Sequence, residues 1–321
     1  MLSASETSQL LSISPARLKQ ILKTHPELEY DRTSANNGSI KIPSETVRTL
    51  LQTRNGIKYP KEIVMIASQK GGTGKTITTL ISAIRLAEKY GCRCLIIDLD
   101  NEAHSTSFLL SSDKDISQVK TMLEIIKDGE SIENCIEKTR YGGVDLLPAK
   151  GLMRRADKLV MSANPKTLLS KIIKPIQNRY DIIFFDVPPT YGRLIESAYC
   201  TATKIFLTTD PSAFGVEAAL MTQQDIETSC EEFDVRLPEI KVLMTKYNSQ
   251  RKASKDAWEL LLTTFKDSVL PLNIRDSAEV QNSINDGKTI FETKTSQDIR
   301  TNFDEFVDII FPLQQQMTSL Q

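Results

Sequence analysis

The sequence predicts an α/β fold: a mostly parallel sheet flanked by helices, preceded by a small helical domain. Three observations point there. Short, near-continuous apolar runs alternate with longer amphipathic stretches, a glycine-rich turn joins the first such run to the first such stretch, and the charge balance shifts near residue 58. A chain of 321 residues fits one large or two unequal domains. With 40% hydrophobic and 25% charged residues it is neither fibrous, wholly disordered nor a disulfide-stapled miniprotein. The formal net charge of −1 argues against a strongly basic nucleic-acid binder, although a whole-chain sum hides local patches.

Residues 1–60 read as a separate unit. Residues 1–58 carry a surplus of +3, against −4 for the remainder. Glu6–Leu11 is a short helical stretch, and Ser12-Ile13-Ser14 is a turn. Ser14-Pro15 provides the N-cap and first residue of a second helix, Pro15–Lys23. Its Leu18, Ile21 and Leu22 face inward, and Arg17, Lys19 and Lys23 outward. Asn36-Asn37-Gly38 makes a tight turn beside a two-stranded wing ending at Ile40-Lys41-Ile42, and Ser44 begins a helix to about Thr53. A helix–turn–helix with a wing suits insertion into a DNA major groove, with Arg17, Lys19, Lys23 and Lys41 on phosphates. A small dimerisation cap with a solvated basic face is the alternative. Asn55-Gly56 and Pro60 mark a linker, so the domains are expected at 1–60 and 61–321.

Beyond the linker, Ile63–Ala67, Cys94–Ile97, Val144–Leu147, Ile182–Val187, Ile205–Leu207, Ile240–Met244 and Val269–Leu272 read as strands buried on both faces of a parallel sheet. Thr76–Lys89, Leu168–Asn178, Val216–Phe233 and Ser254–Phe265 read as helices between them. The five cysteines lack C-x-x-C spacing, and two histidines exclude a His-rich metal site. Met1–Leu11 is too polar for a signal peptide, and no run nears the ~20 apolar residues of a membrane span. The expected setting is therefore a reducing cytosol.

The segment Ile63–Thr76 runs from buried strand through Lys70-Gly71-Gly72-Thr73-Gly74 into Lys75-Thr76 and a helix. Successive backbone N–H groups and a helix N-terminus in that order cradle phosphates. Gly71, Gly72 and Gly74 allow positive φ and close approach. Lys75 would reach the β/γ-phosphates, and the Thr76 hydroxyl would ligate Mg²⁺. Gln69 stands at the first glycine of the usual G-x-x-x-x-G-K-[ST] pattern, and a glycine-rich turn of another kind is the alternative. Asp98 and Asp100 follow one buried strand, two residues apart on a shared face, and Asp186 follows another. Carboxylates at the C-terminal edge of a parallel sheet lie where open α/β folds bind ligands. Asp186 would hold Mg²⁺ through water. Each aspartate alone also reads as a strand-end cap.

Together, K-G-G-T-G-K-T (70–76), I-I-D-L-D-N-E (96–102) and F-F-D-V-P-P (184–189) resemble the deviant-Walker P-loop ATPases, specifically the ParA DNA-partition ATPases, from about Glu62 to Phe311. The resemblance implies a slow, Mg²⁺-dependent ATPase that yields ADP and phosphate and cycles through a nucleotide-driven homodimer. Lys70, the signature lysine, would cross to the partner's nucleotide, so Lys70, Lys75 and Asp100 are the implied catalytic residues. Asp100 would orient the attacking water, while Asp98 joins Thr76 and Asp186 around Mg²⁺. ATP contacts would run from Lys70 through Gly71, Gly72, Thr73, Gly74, Lys75 and Thr76 to Ile77. Asn248, Pro271, Asn273 and Ile274 would lie beside the adenine, before the closing helix. Asn101 replaces a common Pro and Ile77 a second Thr; neither change removes a catalytic group.

The amino-terminal unit resembles the winged helix–turn–helix of larger plasmid ParA proteins, which bind and repress their own operator. In the resembling family, nonspecific DNA is held near the position of Arg251, Lys252 and Lys255; a solvated helix start is the alternative. The implied partners are a second copy, DNA and a ParB-like centromere-binding protein, on a bacterial nucleoid in the cytoplasm. The tail after Arg300 has Asp304, Glu305 and Asp308 but no Lys or Arg, which disfavours MinD-like attachment to anionic lipid. No cysteine placement suits an iron–sulfur cluster. The functions carried forward are a DNA-segregation ATPase and a nucleotide-gated transcriptional repressor with incidental hydrolysis, with a MinD-like positioning ATPase as their rival.

Overall fold

The structure, a computed structural model, describes residues 1–32, 40–110, 114–151 and 153–313. The expected Asn36-Asn37-Gly38 turn lies outside these residues. The amino-terminal unit comprises β1 (Leu2–Ser3), α1 (Ala4–Leu10), α2 (Pro15–Thr24), β2 (Asp31–Arg32), β3 (Ile40–Ile42) and α3 (Ser44–Asn55). Ser3 caps α1 in a reciprocal box with Glu6, and Ser14 caps α2 ahead of Pro15, so both starts are written locally. The three strands pair antiparallel in the order β1-β3-β2. The two-residue β1 is too short for a periodicity to reveal.

The remainder runs β4 (Glu62–Ala67), α4 (Lys75–Tyr90), β5 (Cys94–Asp98), α5 (His104–Leu109), α6 (Met122–Asp128), β6 (Glu137–Lys138), β7 (Val144–Leu147), α7 (Met153–Leu159), α8 (Pro165–Ile173), β8 (Ile182–Asp186), α9 (Arg193–Thr201), β9 (Lys204–Thr209), α10 (Ala213–Glu232), β10 (Glu239–Tyr247), α11 (Lys252–Phe265), β11 (Val269–Arg275), α12 (Ala278–Asn285) and α13 (Gln297–Ile310). The eight strands lie in the order β11-β10-β9-β4-β8-β5-β7-β6, and every pairing is parallel except β6 with β7. All seven strands expected in this part of the chain are present. Alternate residues of one strand feed two cores: Val64 and Ile66 join α4 and α13 on one face, while Met65 and Ala67 join α6 to α11 on the other. That two-sided demand explains why the strands read as unbroken apolar runs.

The linker proves to be an interface. Gly56 ends α3 in the left-handed conformation, as the Asn-Gly signal indicates, but Ile57 is buried and Tyr59 stacks on Phe311 at 5.4 Å between ring centroids. The apolar core of the amino-terminal unit is continuous with the core around α4 and α13. Arg48 on α3 lies 3.8 Å from the Tyr59 ring centre, donates to Gly91 O at 3.0 Å and forms a forked ion pair with buried Asp181. Gly91, at φ +66°, ends α4 so tightly against α3 that an added Cβ would lie 2.5 Å from Ser44 O. On the other flank of α4, Arg85 pairs with Asp304 and Lys89 with Asp308 of α13. The acids that make the tail unattractive to anionic lipid thus hold the closing helix in place.

Candidate active site

The phosphate loop lies between β4 and α4, at the C-terminal edge of the sheet. Gly72 and Gly74 adopt positive φ, whereas Gly71 does not, so only two of the three glycines are required by backbone conformation. A Cβ built on Gly71 or Gly72 would meet nothing within 4 Å, so the tip of the loop borders open space. The opposite side is moored: Thr245 donates to Thr73 O at 2.8 Å, and the Thr73 hydroxyl lies 3.0 Å from that of Thr208. Thr73 therefore contributes its backbone to the open side, since its side chain is buried in the sheet. Lys75 is buried and its Nζ donates to Lys70 O at 3.3 Å. Burial lowers its pKa, opposed by Asp186, Asp100 and Glu102. Ile77 is half-buried and packs on the core beneath the helix.

The parallel register sets Asp98 beside Asp186 at the ends of β5 and β8. Thr76 donates to one Asp186 oxygen at 3.2 Å and Ser105 to the other at 2.6 Å. Asp98 accepts from the Thr106 N–H, the Thr106 hydroxyl and the Asp100 N–H, at 2.7–3.0 Å. Burial and the neighbouring carboxylate push Asp98 up to about 8; Asp186 is pushed up to about 6, chiefly by burial. The expectation that Asp98 and Asp100 share a strand face is corrected. β5 ends at Asp98, and Asp100 sits on the following turn, where its Oδ1 accepts from the Glu102 N–H at 2.9 Å. That turn still keeps Asp100 buried beside Lys75.

These residues fit a magnesium nucleotide. Two buried carboxylates with no ion-pair partner among the described residues match a divalent cation, and the open loop above Lys75 matches phosphate. Lys70 is held within its own chain, its Nζ 2.7 and 2.9 Å from the Asp210 oxygens and 3.2 Å from Ser212 Oγ. Asp210, Ser212, Ser105 and Thr106 escape a reading by motif: Asp210 and Ser212 lie between β9 and α10, and Ser105 and Thr106 lie in the short helix α5.

On the proposed adenine side, Asn248 follows β10, and its side chain accepts from the Gln250 N–H at 2.9 Å. Asn273 lies opposite Met244 on the neighbouring edge strand, whereas Tyr247, the residue before Asn248, pairs with Arg275, so the two candidates are not register partners. Ile274 is corrected: its side chain is buried with Leu270 and Leu272 in the core, leaving only its backbone for a ligand. Pro271 is exposed in the middle of the edge strand, where a missing N–H is tolerated.

The basic residues fall into two groups. Lys19 and Lys23 stand one turn apart on the exposed side of α2, whereas Arg17 lies on its flank and bonds Gln20 at 2.8 Å. Lys41 is not beside them: it is half-buried on the central strand β3, opposite Ser3 and Asp31, with its charge acting on Glu6. Arg251, Lys252 and Lys255 are exposed and gathered in the first turn of α11, where Lys255 N donates to Arg251 O. Arg251 also faces Asp276 at 3.6 Å. A cavity of about 510 Å³ lies toward the opposite edge of the sheet, but Arg93–Glu45 and Lys138–Asp145 pairs balance its charges. Among the described residues no helix is long and apolar enough to cross a membrane.

Residues 61–237 match a family described as AAA domain. The chain is 29% identical over 247 residues to the cell division protein PomZ of Myxococcus xanthus, covering 76% of each. It is 28% identical over 237 residues to a ParA family protein of Chlamydia trachomatis, covering 73% of this chain and 91% of that protein. Among solved structures, the ATP complex of an aspartate-to-alanine variant of Cyanothece McdA superposes with a TM-score of 0.69 at 23% identity, over 77% of this chain and 95% of that one.

Proposed function

The chain belongs to the AAA-domain family as a ParA/MinD-type P-loop ATPase, and from that premise we propose that it is an ATP-dependent DNA-partition ATPase acting as a nucleotide-driven homodimer. The observation that carries this reading is the convergence of Lys75, Thr76, Asp98, Asp100 and Asp186 at one edge of the sheet, with two buried carboxylates that have no ion-pair partner among the described residues. Lys75 and the backbone of 71–74 bind phosphate, and Thr76, Asp98 and Asp186 hold Mg²⁺. The ion supplies charge neutralisation at the phosphates. Asp100, with one oxygen fixed by the Glu102 N–H, orients water through the other. Lys70 exchanges Asp210 for the phosphates of a second protomer, which makes the ion pair the resting position of the lysine.

Three cations at the start of α11 oppose the helix dipole, and the Arg251–Asp276 contact engages just one of them. They fit DNA phosphates, and contacts of that kind need no sequence and hold the protein on the nucleoid. The exposed α2 with Lys19 and Lys23 favours a second, compatible reading in which the amino-terminal unit binds an operator. The test is the ATP hydrolysis rate alone, with DNA, and with DNA plus a centromere-binding ParB-like partner. Stimulation by the combination is expected; a flat rate rejects segregation and leaves the repressor. Asp100→Ala is expected to retain ATP and accumulate as a dimer, and a monomeric variant in ATP rejects its assignment to the water.

A further inference from the structure

The glycine that opens the usual phosphate-loop pattern is replaced here by Gln69, whose side chain has no part in the chemistry above. It is half-buried and held by α10 at two points. Its backbone N–H donates to the Thr222 hydroxyl at 3.2 Å, and its side-chain amide donates to the Asp225 carboxylate. Thr222 and Asp225 are three residues apart and so occupy one face of the helix. Thr222 is itself fixed, donating to Ala218 O at 2.7 Å. The next residue, Lys70, reaches the start of the same helix: it bonds Ser212, the N-cap of α10, and Asp210 just before it. The first limb of the loop therefore lies along α10, tied through consecutive residues to its N-cap and to its third turn. Beyond them, Gly71 and Gly72 have no side chain with which to hold the loop.

We infer that Gln69 is a positioning residue for ATP hydrolysis, its amide fixing the first limb of the phosphate loop to Asp225 of α10. The tie keeps the root of Lys70 and the N–H groups of residues 71–74 in place while the lysine side chain leaves Asp210. A glycine at this position would leave residue 69 tied to α10 through its main-chain bond to Thr222 and without a side-chain bond to Asp225. Because small displacements of positioned groups act on the transition state more than on ground-state binding, the loss is read in kcat rather than in nucleotide affinity. The inference rests on the ATPase reading above.

The experiment compares steady-state hydrolysis, Mg-ATPγS affinity by calorimetry and the thermal midpoint in the full-length chain. Gln69→Glu sets two carboxylates against each other and is expected to lower kcat by about tenfold while affinity stays within about twofold. Asp225→Asn keeps an amide-to-amide bond and is expected to stay near wild type. The double variant Gln69→Glu/Asp225→Asn exchanges donor and acceptor and is expected to recover kcat to within about threefold of wild type. Gln69→Gly, which restores the usual pattern and introduces no repulsion, is expected to lose kcat with an unchanged thermal midpoint. A Gln69→Glu variant at full kcat, or a double variant no better than Gln69→Glu, overturns the inference. A wild-type chain without ATPase activity overturns the parent reading instead, and is recognised before any variant is made.

Discussion

At the scale of single residues, the site gathers its groups by strand register and then holds them with short hydroxyl side chains. Lys75 is buried with its amine aimed back at the loop carbonyl of Lys70. Lys75→Ala is therefore expected to abolish ATP binding, measured by calorimetry, with the fold intact by circular dichroism. The Asp98–Asp186 pair sets a pH dependence. Both carboxyl groups have folded pKa values raised above the ordinary ~3.9 of an unfolded aspartate. The fold thus prefers their protonated forms, and the stability they contribute is full below about pH 4. It is lost as the pH rises through about 6 for Asp186 and about 8 for Asp98. For nucleotide-free protein in chelator, Asp98→Asn is expected to flatten the decline of the thermal midpoint between about pH 5 and about pH 8. Parallel curves for the two proteins would reject the assignment.

At the scale of elements, α11 places Arg251, Lys252 and Lys255 where the dipole disfavours them. Arg251→Glu/Lys252→Glu is expected to weaken binding to random DNA and reduce the salt slope by roughly one to two, since each lost phosphate contact removes about 0.9. Fluorescence anisotropy at two salt concentrations, with ATP affinity unchanged, checks it. Loss of both together would indicate misfolding. The strands and long helices were legible because burial on both faces of the sheet writes itself as unbroken apolar runs such as Ile182–Phe185. Short elements such as α5 and α7 were not, because six or seven residues hold too few turns for a periodicity. The phosphate loop was legible from glycines and lysines at fixed spacing. Its moorings, Thr208, Thr222, Asp225 and Thr245, were not, because they come from distant strands and helices that only the fold brings alongside.

At the scale of the whole molecule, α4 begins in the phosphate loop and ends against the amino-terminal unit, with α13 clamped along it. Composition located the seam near residue 58 but could not reveal that the seam is packed, since Ile57 is buried and half-buried Tyr59 packs against Phe311 and Arg48. Gly91→Ala is expected to release the amino-terminal unit, because the new methyl collides with Ser44 O and Arg48. Faster tryptic cleavage after Lys58 or Lys61, with ATP affinity retained, is the expected result; wild-type cleavage rates would show that the contact yields without undocking. The packed seam also has a metric consequence. In the proposed two-fold dimer, each α2 would be carried on the ATPase body rather than on a tether, so the pair would act as a calliper locked at one opening. Operators whose half-sites are moved by about half a helical turn, roughly 5 base pairs, should then be refused, and a Gly91→Ala protein should accept them again.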